Sequence, residues 1–268
     1  MSAVIARVLT AAGLALLTGC AAIPEIDAGG PAPTTDGSRG SLTGDVTVLA
    51  AASLGEAFTA LAESFEAAHP DVTVTLGLGP SSALAAQVAA GAPVDVLATA
   101  DTSTMERALD GSSSVGEQVV FARNTLAVAV PVRNRAEVDE LADLGRDGVS
   151  FAVCAREVPC GAAAQRVLEA AAISRSAVTY ENDATAVLTK VIWDEVDAGL
   201  VYASDVRADA PAVLRGTVRP VPIPEDLNTT TSYPVVALTG TDAARAFVDH
   251  VLSAEGARTL ADAGFLGP

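Results

Sequence analysis

Between Val46 and Asp101 two short apolar segments each run through small residues into serine and then directly into a helical pattern. The first reads Val46-Thr-Val-Leu-Ala-Ala-Ala-Ser53-Leu54, and the second reads Val72-Thr-Val-Thr-Leu-Gly-Leu-Gly-Pro-Ser81-Ser82-Ala-Leu84. Val46 to Ala50 and Val72 to Leu76 have the length and β-branched content of strands, and the apolar spacing predicts helices over Leu54 to Ala68 and Ala83 to Ala90. Val94 to Ala100 reads as a further strand, with Asp101 as N-cap of a helix through Leu109. Such alternation builds an α/β unit with parallel strands. Each junction also sets a serine hydroxyl at a helix N-terminus, where unpaired N–H groups and the positive end of the dipole favour an anion. Two such ends facing each other make a neutral anion cradle.

The start of the chain has the parts of an export signal: Arg7, the apolar run Val8 to Leu17, then Leu17-Thr18-Gly19-Cys20. The run is too short to span a bilayer. Leu-Thr-Gly-Cys resembles a bacterial lipoprotein processing box, which implies that Cys20 is lipidated and becomes the first mature residue; a plain signal peptide cut near Ala21 or Ala22 is the alternative. Ala21 to Gly44, rich in Pro, Gly, Thr and Asp without periodicity, reads as a flexible tether. The expected organisation is a signal over 1–20, a tether over 21–44 and the fold from 45 onward, held at the outer face of the cell membrane by lipid.

Export bears on the cysteines. With Cys20 assigned to the processing box, Cys154 and Cys160 remain as a nearby pair, and outside the cell such a pair is expected as a disulfide, with two reduced thiols as the alternative. The net charge of −17 argues against nucleic acid and anionic lipid surfaces as partners. It leaves a small anion open, provided that local dipoles and hydrogen bonds at short range hold it.

Further strands are expected over Leu126 to Val132, Ser150 to Val153, Val178 to Glu181, Leu200 to Tyr202 and Val235 to Leu238. Helices are expected over Gly161 to Ala171, Ala184 to Val196, Ala243 to Leu252 and Glu255 to Ala263. Val187, Leu188, Val191, Ile192 and Trp193 are read as the buried face of the helix that starts at Ala184. The chain contains no P-loop, no complete dinucleotide fingerprint and no nucleophile elbow. The two histidines, His69 and His250, are read as surface residues, so no catalytic triad, catalytic residue or metal cluster is expected.

Two more junctions repeat the opening pattern: Val158-Pro159-Cys160-Gly161 and Asn182-Asp183-Ala184-Thr185 each lead small residues into a helix start. In order along the chain, Ala-Ala-Ser53-Leu, Ser81-Ser82-x-Leu-Ala-x-Gln-Val-x-x-Gly-Ala-Pro-x-Asp95-Val, Val158-Pro-Cys-Gly161, Gly199-Leu-Val-Tyr202-x-Ser-Asp205 and Tyr233-Pro-Val resemble the periplasmic molybdate-binding proteins of ABC transporters, a branch of the type II substrate-binding proteins. The resemblance spans Val46 to about Phe265. It implies a two-lobed α/β fold, each lobe a mostly parallel sheet flanked by helices, with lobe 1 over 45–123 plus 237–268 and lobe 2 over 124–236. It also implies a monomer that binds molybdate or tungstate as ligand, with no cofactor, and passes it to the permease and ATPase subunits of a transporter. By motif, the ligand contacts are the hydroxyls and N–H groups of Ser53 and Ser81, the N–H groups of Cys160 and Ala184, and the hydroxyl of Tyr202; Ser82 competes with Ser81. Sulfate is the alternative ligand, an exported α/β hydrolase the alternative of another class, and a sensory role stays open. Iron is disfavoured, since it calls for several tyrosines and acidic ligands and the chain has three tyrosines.

Overall fold

The computed structural model describes residues 41–110, 116–207 and 210–268, so the expected signal, Cys20 and the tether up to residue 40 lie outside the described residues. The chain enters the fold with Gly44–Ala51 (β1), a 3-10 turn at Ala52–Leu54, Gly55–Ala68 (α1), Val72–Gly79 (β2), Ser81–Ala89 (α2), Val96–Ala98 (β3), Thr102–Leu109 (α3) and Val119–Asn124 (β4). A second series follows: Leu126–Pro131 (β5), Phe151–Cys154 (β6), Pro159–Ala170 (α4), Thr179–Glu181 (β7), Ala184–Ile192 (α5), Ala198–Tyr202 (β8), Pro211–Leu214 (α6) and Val218–Val221 (β9). Thr231–Ala237 (β10), Asp242–Leu252 (α7) and Ala254–Asp262 (α8) close the chain.

These strands form two five-stranded sheets, β2-β1-β3-β10-β4 and β7-β6-β8-β5-β9. In the first, β1 pairs parallel with β2 and β3, while β10 pairs antiparallel with β3 and β4, so only β10 runs against the rest. In the second, β6 pairs parallel with β7 and β8, and β5 runs against β8 and β9. Each lobe is therefore a mostly parallel sheet. The reversed strand is, in both cases, the first after the chain crosses between lobes.

Side-chain alternation buries both faces of the first sheet, as parallel sheets require. Val46, Val48, Val96 and Val235 join the main core with Phe58, Leu61 and Phe65 of α1, while Leu49, Leu97 and Val236 point the other way against Leu84, Val88 and Met105. Phe58 and Phe65 both meet Phe247 of α7 edge-on, at centroid distances of 6.4 and 5.3 Å, which locks α1 to the end of the chain.

Several expectations are corrected. The return to lobe 1, placed at residue 237, comes before Thr231, because β10 pairs with β3 and β4. Pro234 disguises this strand, and the ladder accommodates the missing N–H with a register shift between Tyr233 and Pro234. β4 and β9 are absent from the sequence reading; β9 is short and carries Pro220. Ile192 and Trp193 are 37% and 71% exposed rather than buried: α5 ends at Ile192, and Asp194 turns the chain at φ 56°, which takes both off the buried stripe of Val187 and Val191. Nor are the histidines free on the surface. Both rings pack on Phe65, at 4.7 Å for His69 and 5.5 Å for His250, and His250 Nε2 lies 2.8 Å from Ser64 Oγ.

The crossings are tied together. The Asn228 carboxamide accepts from the Leu126 N–H at 3.1 Å and donates to the Leu126 carbonyl at 2.8 Å, so it pairs with the entry strand as a peptide group would. Asn124, at the end of β4, donates to Ser204 Oγ of the other lobe at 2.8 Å. Among the described residues no helix is long and apolar enough to cross a membrane.

Cys154 and Cys160 form a disulfide that joins the end of β6 to the first turn of α4. Gly161 behind it admits no side chain, since a Cβ there would sit 1.7 Å from the Ala155 carbonyl oxygen. Closing a loop this short is worth about 2–3 kcal/mol. Replacing both cysteines with serine is expected to lower unfolding stability by about that amount in a urea titration; an unchanged midpoint would contradict a structural role for the bond.

Candidate anion-binding site

Ser53, Ser81, Cys160, Ala184 and Tyr202 line one cavity of about 20 Å³ between the lobes. Each comes from a strand exit or a helix start. Ser53 lies in the turn between β1 and α1, Ser81 is the first residue of α2, Cys160 follows Pro159 at the start of α4, Ala184 opens α5, and Tyr202 ends β8. The sheets bring these ends together because the parallel strands of each lobe finish on the side that faces the other lobe. Ser82, the competing hydroxyl, is half-exposed and outside the lining.

Three of these starts lack a side-chain cap, which among the described helices outside the site is true only of the four-residue α6. Asp101, Thr241 and Ser253 cap α3, α7 and α8 with side-chain hydrogen bonds. Ala51, Pro80 and Val158, which precede the turn at Ser53, α2 and α4, supply none. An uncapped first turn leaves N–H donors unsatisfied, and here those turns border one cavity. At α5 the Asp183 carboxylate accepts from the Ala186 N–H at 2.7 Å, while the N–H of Ala184 lies at the first position of the helix.

The side chains add donors of the same kind. Ser81 is 4% exposed, and its Oγ accepts from the Ala100 N–H at 3.1 Å, so its own hydrogen is available to the cavity. Ser53 Oγ lies 3.2 Å from the Tyr233 hydroxyl. Tyr202 is 2% exposed, and its buried hydroxyl makes no close hydrogen bond, with the Tyr233 hydroxyl facing it. A buried polar group in that state costs about 1–3 kcal/mol, which an acceptor in the cavity would relieve. Burial pushes both tyrosine hydroxyls well above the usual phenol range, so they remain protonated donors.

Lys and Arg are absent from the lining, whereas Asp183 borders it. Among the described residues no group of three or more His, Cys, Asp or Glu is placed to hold a metal ion. Chemically, the cavity offers neutral N–H and O–H donors to an acceptor-rich guest and no positive charge. Two participants escaped the sequence reading. Tyr233 stood within a quoted motif without a role, and the Ala100 N–H carries no signal in residue identity, since it acts through backbone.

A family model described as "bacterial extracellular solute-binding protein" matches residues 46–266. The molybdate-binding protein of Mycobacterium tuberculosis is 38% identical over 244 residues, covering 90% of either chain. That of Escherichia coli is 30% identical over 238 residues, covering 83% of this chain and 89% of the relative. This chain belongs to the molybdate-binding family of bacterial extracellular solute-binding proteins. The fold agrees: the periplasmic molybdate-binding protein of Azotobacter vinelandii superposes with a TM-score of 0.71 at 20% identity, over 83% of this chain and 99% of that one. As a solute-binding protein of the ABC-transporter type, the molecule works outside the cytoplasm.

The acidic residue of the Tyr202-x-Ser-Asp205 motif sits behind the site. Asp205 accepts from the Tyr202 N–H at 3.0 Å, and burial, with Asp183 nearby, pushes its carboxyl up to about 7 against the opposing pull of Arg207. An unfolded Asp titrates near 3.9. Between about pH 4 and pH 7 the folded protein therefore binds more protons than the unfolded chain, and stability from this group falls as pH rises. Asp205→Asn is expected to flatten the decline in unfolding free energy between pH 5 and pH 8 by on the order of 1–3 kcal/mol. The same slope in both proteins would contradict the buried carboxyl.

Proposed function

We propose that this protein is a lipid-anchored binding protein that captures molybdate, or tungstate, between its lobes and delivers it to the permease and ATPase of an ABC transporter. The observation that carries the reading is the convergence of uncapped helix starts and buried hydroxyls on one cavity without charged donors. A fully deprotonated tetrahedral dianion presents only acceptors, so it can satisfy every donor that borders the cavity. Charge-assisted bonds of this kind contribute about 1.5–3 kcal/mol each. The names of the relatives from M. tuberculosis and E. coli support the choice of molybdate.

The donors act as follows. Ser53 and Ser81 give side-chain and backbone hydrogens from lobe 1; Cys160 and Ala184 give backbone hydrogens from lobe 2, and Tyr202 a phenol hydrogen. Ligand held by both lobes favours the closed arrangement, which the transporter can then read. A site whose only charged neighbour, Asp183, accepts from the Ala186 N–H offers few acceptors to a guest that must donate a proton, and a spacing set for the larger oxyanions leaves sulfate out of reach of some donors. Anchoring through Cys20, supported by Leu17-Thr-Gly-Cys20, would hold the domain near its permease and raise its effective concentration there.

Calorimetry of the protein against molybdate, tungstate, sulfate and phosphate tests the reading. Tight binding of the first two is expected, and Ser53→Ala, Ser81→Ala and Tyr202→Phe are each expected to weaken molybdate by roughly ten- to a hundredfold. Unchanged affinity in all three variants would refute the site.

A further inference from the structure

Tyr233 is 0% exposed, comes from β10, and is absent from the cavity lining. Its ring stands edge-on to Tyr202 at 5.8 Å and to Phe265 at 5.2 Å, and its hydroxyl lies 3.2 Å from Ser53 Oγ, its nearest polar partner, with the Tyr202 hydroxyl and the Asn124 side chain also facing it. Only one of the two hydroxyls can donate in that bond. If Ser53 donates, its hydrogen is spent on Tyr233, and an oxyanion in the cavity meets a lone pair. If Tyr233 donates, a lone pair of Ser53 is occupied and the Ser53 hydrogen is left for the cavity. A serine hydroxyl alone is ambivalent, being both donor and acceptor.

Ser81 shows the same arrangement with its direction settled. There the Ala100 backbone N–H, which can only donate, fills a lone pair of Ser81 Oγ at 3.1 Å. Each lobe 1 serine thus has one protein group set against its oxygen. At Ser81 that group is backbone; at Ser53 it is the hydroxyl of Tyr233.

We propose that Tyr233 is a positioning residue that holds Ser53 as a hydrogen-bond donor and so sets the site's preference for fully deprotonated oxyanions over protonated ones. The inference rests on the proposed oxyanion reading and extends it to a residue that does not touch the ligand. Hydrogen phosphate, which carries a proton at neutral pH, needs one acceptor in its site. Ser53 with both lone pairs open could serve as that acceptor; Ser53 turned by Tyr233 serves poorly.

The test is a double-mutant cycle on Ser53 and Tyr233, with molybdate titrated calorimetrically and sulfate and hydrogen phosphate measured as competitors. Tyr233→Phe keeps the ring that packs on Tyr202 and Phe265 and removes only the hydroxyl, and the Ser53→Ala background separates its effect through Ser53 from any through Tyr202 or Asn124. In the wild-type background it is expected to weaken molybdate by about three- to tenfold, the range for one neutral hydrogen bond. Sulfate, also fully deprotonated, should weaken in parallel, and the gap between molybdate and hydrogen phosphate should narrow. In the Ser53→Ala background Tyr233→Phe should lose most of its effect, because the group it orients is gone and only its neighbourhood with Tyr202 remains. A merely structural role for the hydroxyl would instead add in full to Ser53→Ala and leave the phosphate gap unchanged. Either full additivity or unaltered molybdate affinity in Tyr233→Phe overturns the inference. If wild type binds molybdate and Ser53→Ala weakens it while Tyr233→Phe does not, this inference alone falls; if wild type binds no molybdate, the functional reading falls with it.

Discussion

Hydrogen-bond donors without acceptors, gathered at one closed place, are the constraint on which the rest of the structure depends. A helix start normally meets its first N–H groups with a side-chain cap, and α3, α7 and α8 do so. The turn at Ser53, α2 and α4 do not, and together with α5 they border the same cavity. Add the Tyr202 hydroxyl, which makes no close hydrogen bond, and these donors outnumber the protein acceptors beside them. The net charge of −17 shows that attraction at long range plays no part. Affinity and selectivity have to come from the direction and spacing of neutral donors, a task that rigid sheets with small residues at their strand ends can perform.

Topology supplies both rigidity and movement. Each lobe holds its donors at the ends of a mostly parallel sheet, and the two chain crossings are fastened by Asn228 to Leu126 and by Asn124 to Ser204. Across the cleft, Arg207 of lobe 2 meets Glu56 of α1 at 2.5 Å, with 57% of the Glu56 side chain exposed. A pair this open contributes about 0–1 kcal/mol, so it ties the lobes only weakly. The Tyr202 and Tyr233 rings, one from each lobe, form the larger contact. This aromatic contact between the lobes lies next to the donors of the proposed site.

Much of this was legible in the sequence because the site is built from local junctions. A strand, a few small residues and a helix start occupy about ten positions in a row, so the junctions that hold Ser53, Ser81, Cys160 and Ala184 could each be found from such a run, while the family resemblance singled out the residues within them. The cysteine pair, six residues apart, was legible for the same reason. What depends on distant pairing was not. Pro234 hides the first half of β10, from Thr231, until its bulge and its partners β3 and β4 are seen, and the lobe boundary moves with it. Trp193 looked like a core residue because its helix was read four residues too long, past the left-handed Asp194. Tyr233 meets Ser53 across 180 positions of sequence, so its role appears only once the first sheet is assembled.

A crystal structure of the protein grown with molybdate tests the central claim most directly, because molybdenum can be located by its anomalous scattering. The account predicts one molybdenum peak in the cavity lined by Ser53, Ser81, Cys160, Ala184 and Tyr202, with its oxygens about 2.7–3.2 Å from those N–H and O–H donors. A peak elsewhere, or a cavity occupied only by water at saturating molybdate, would contradict it.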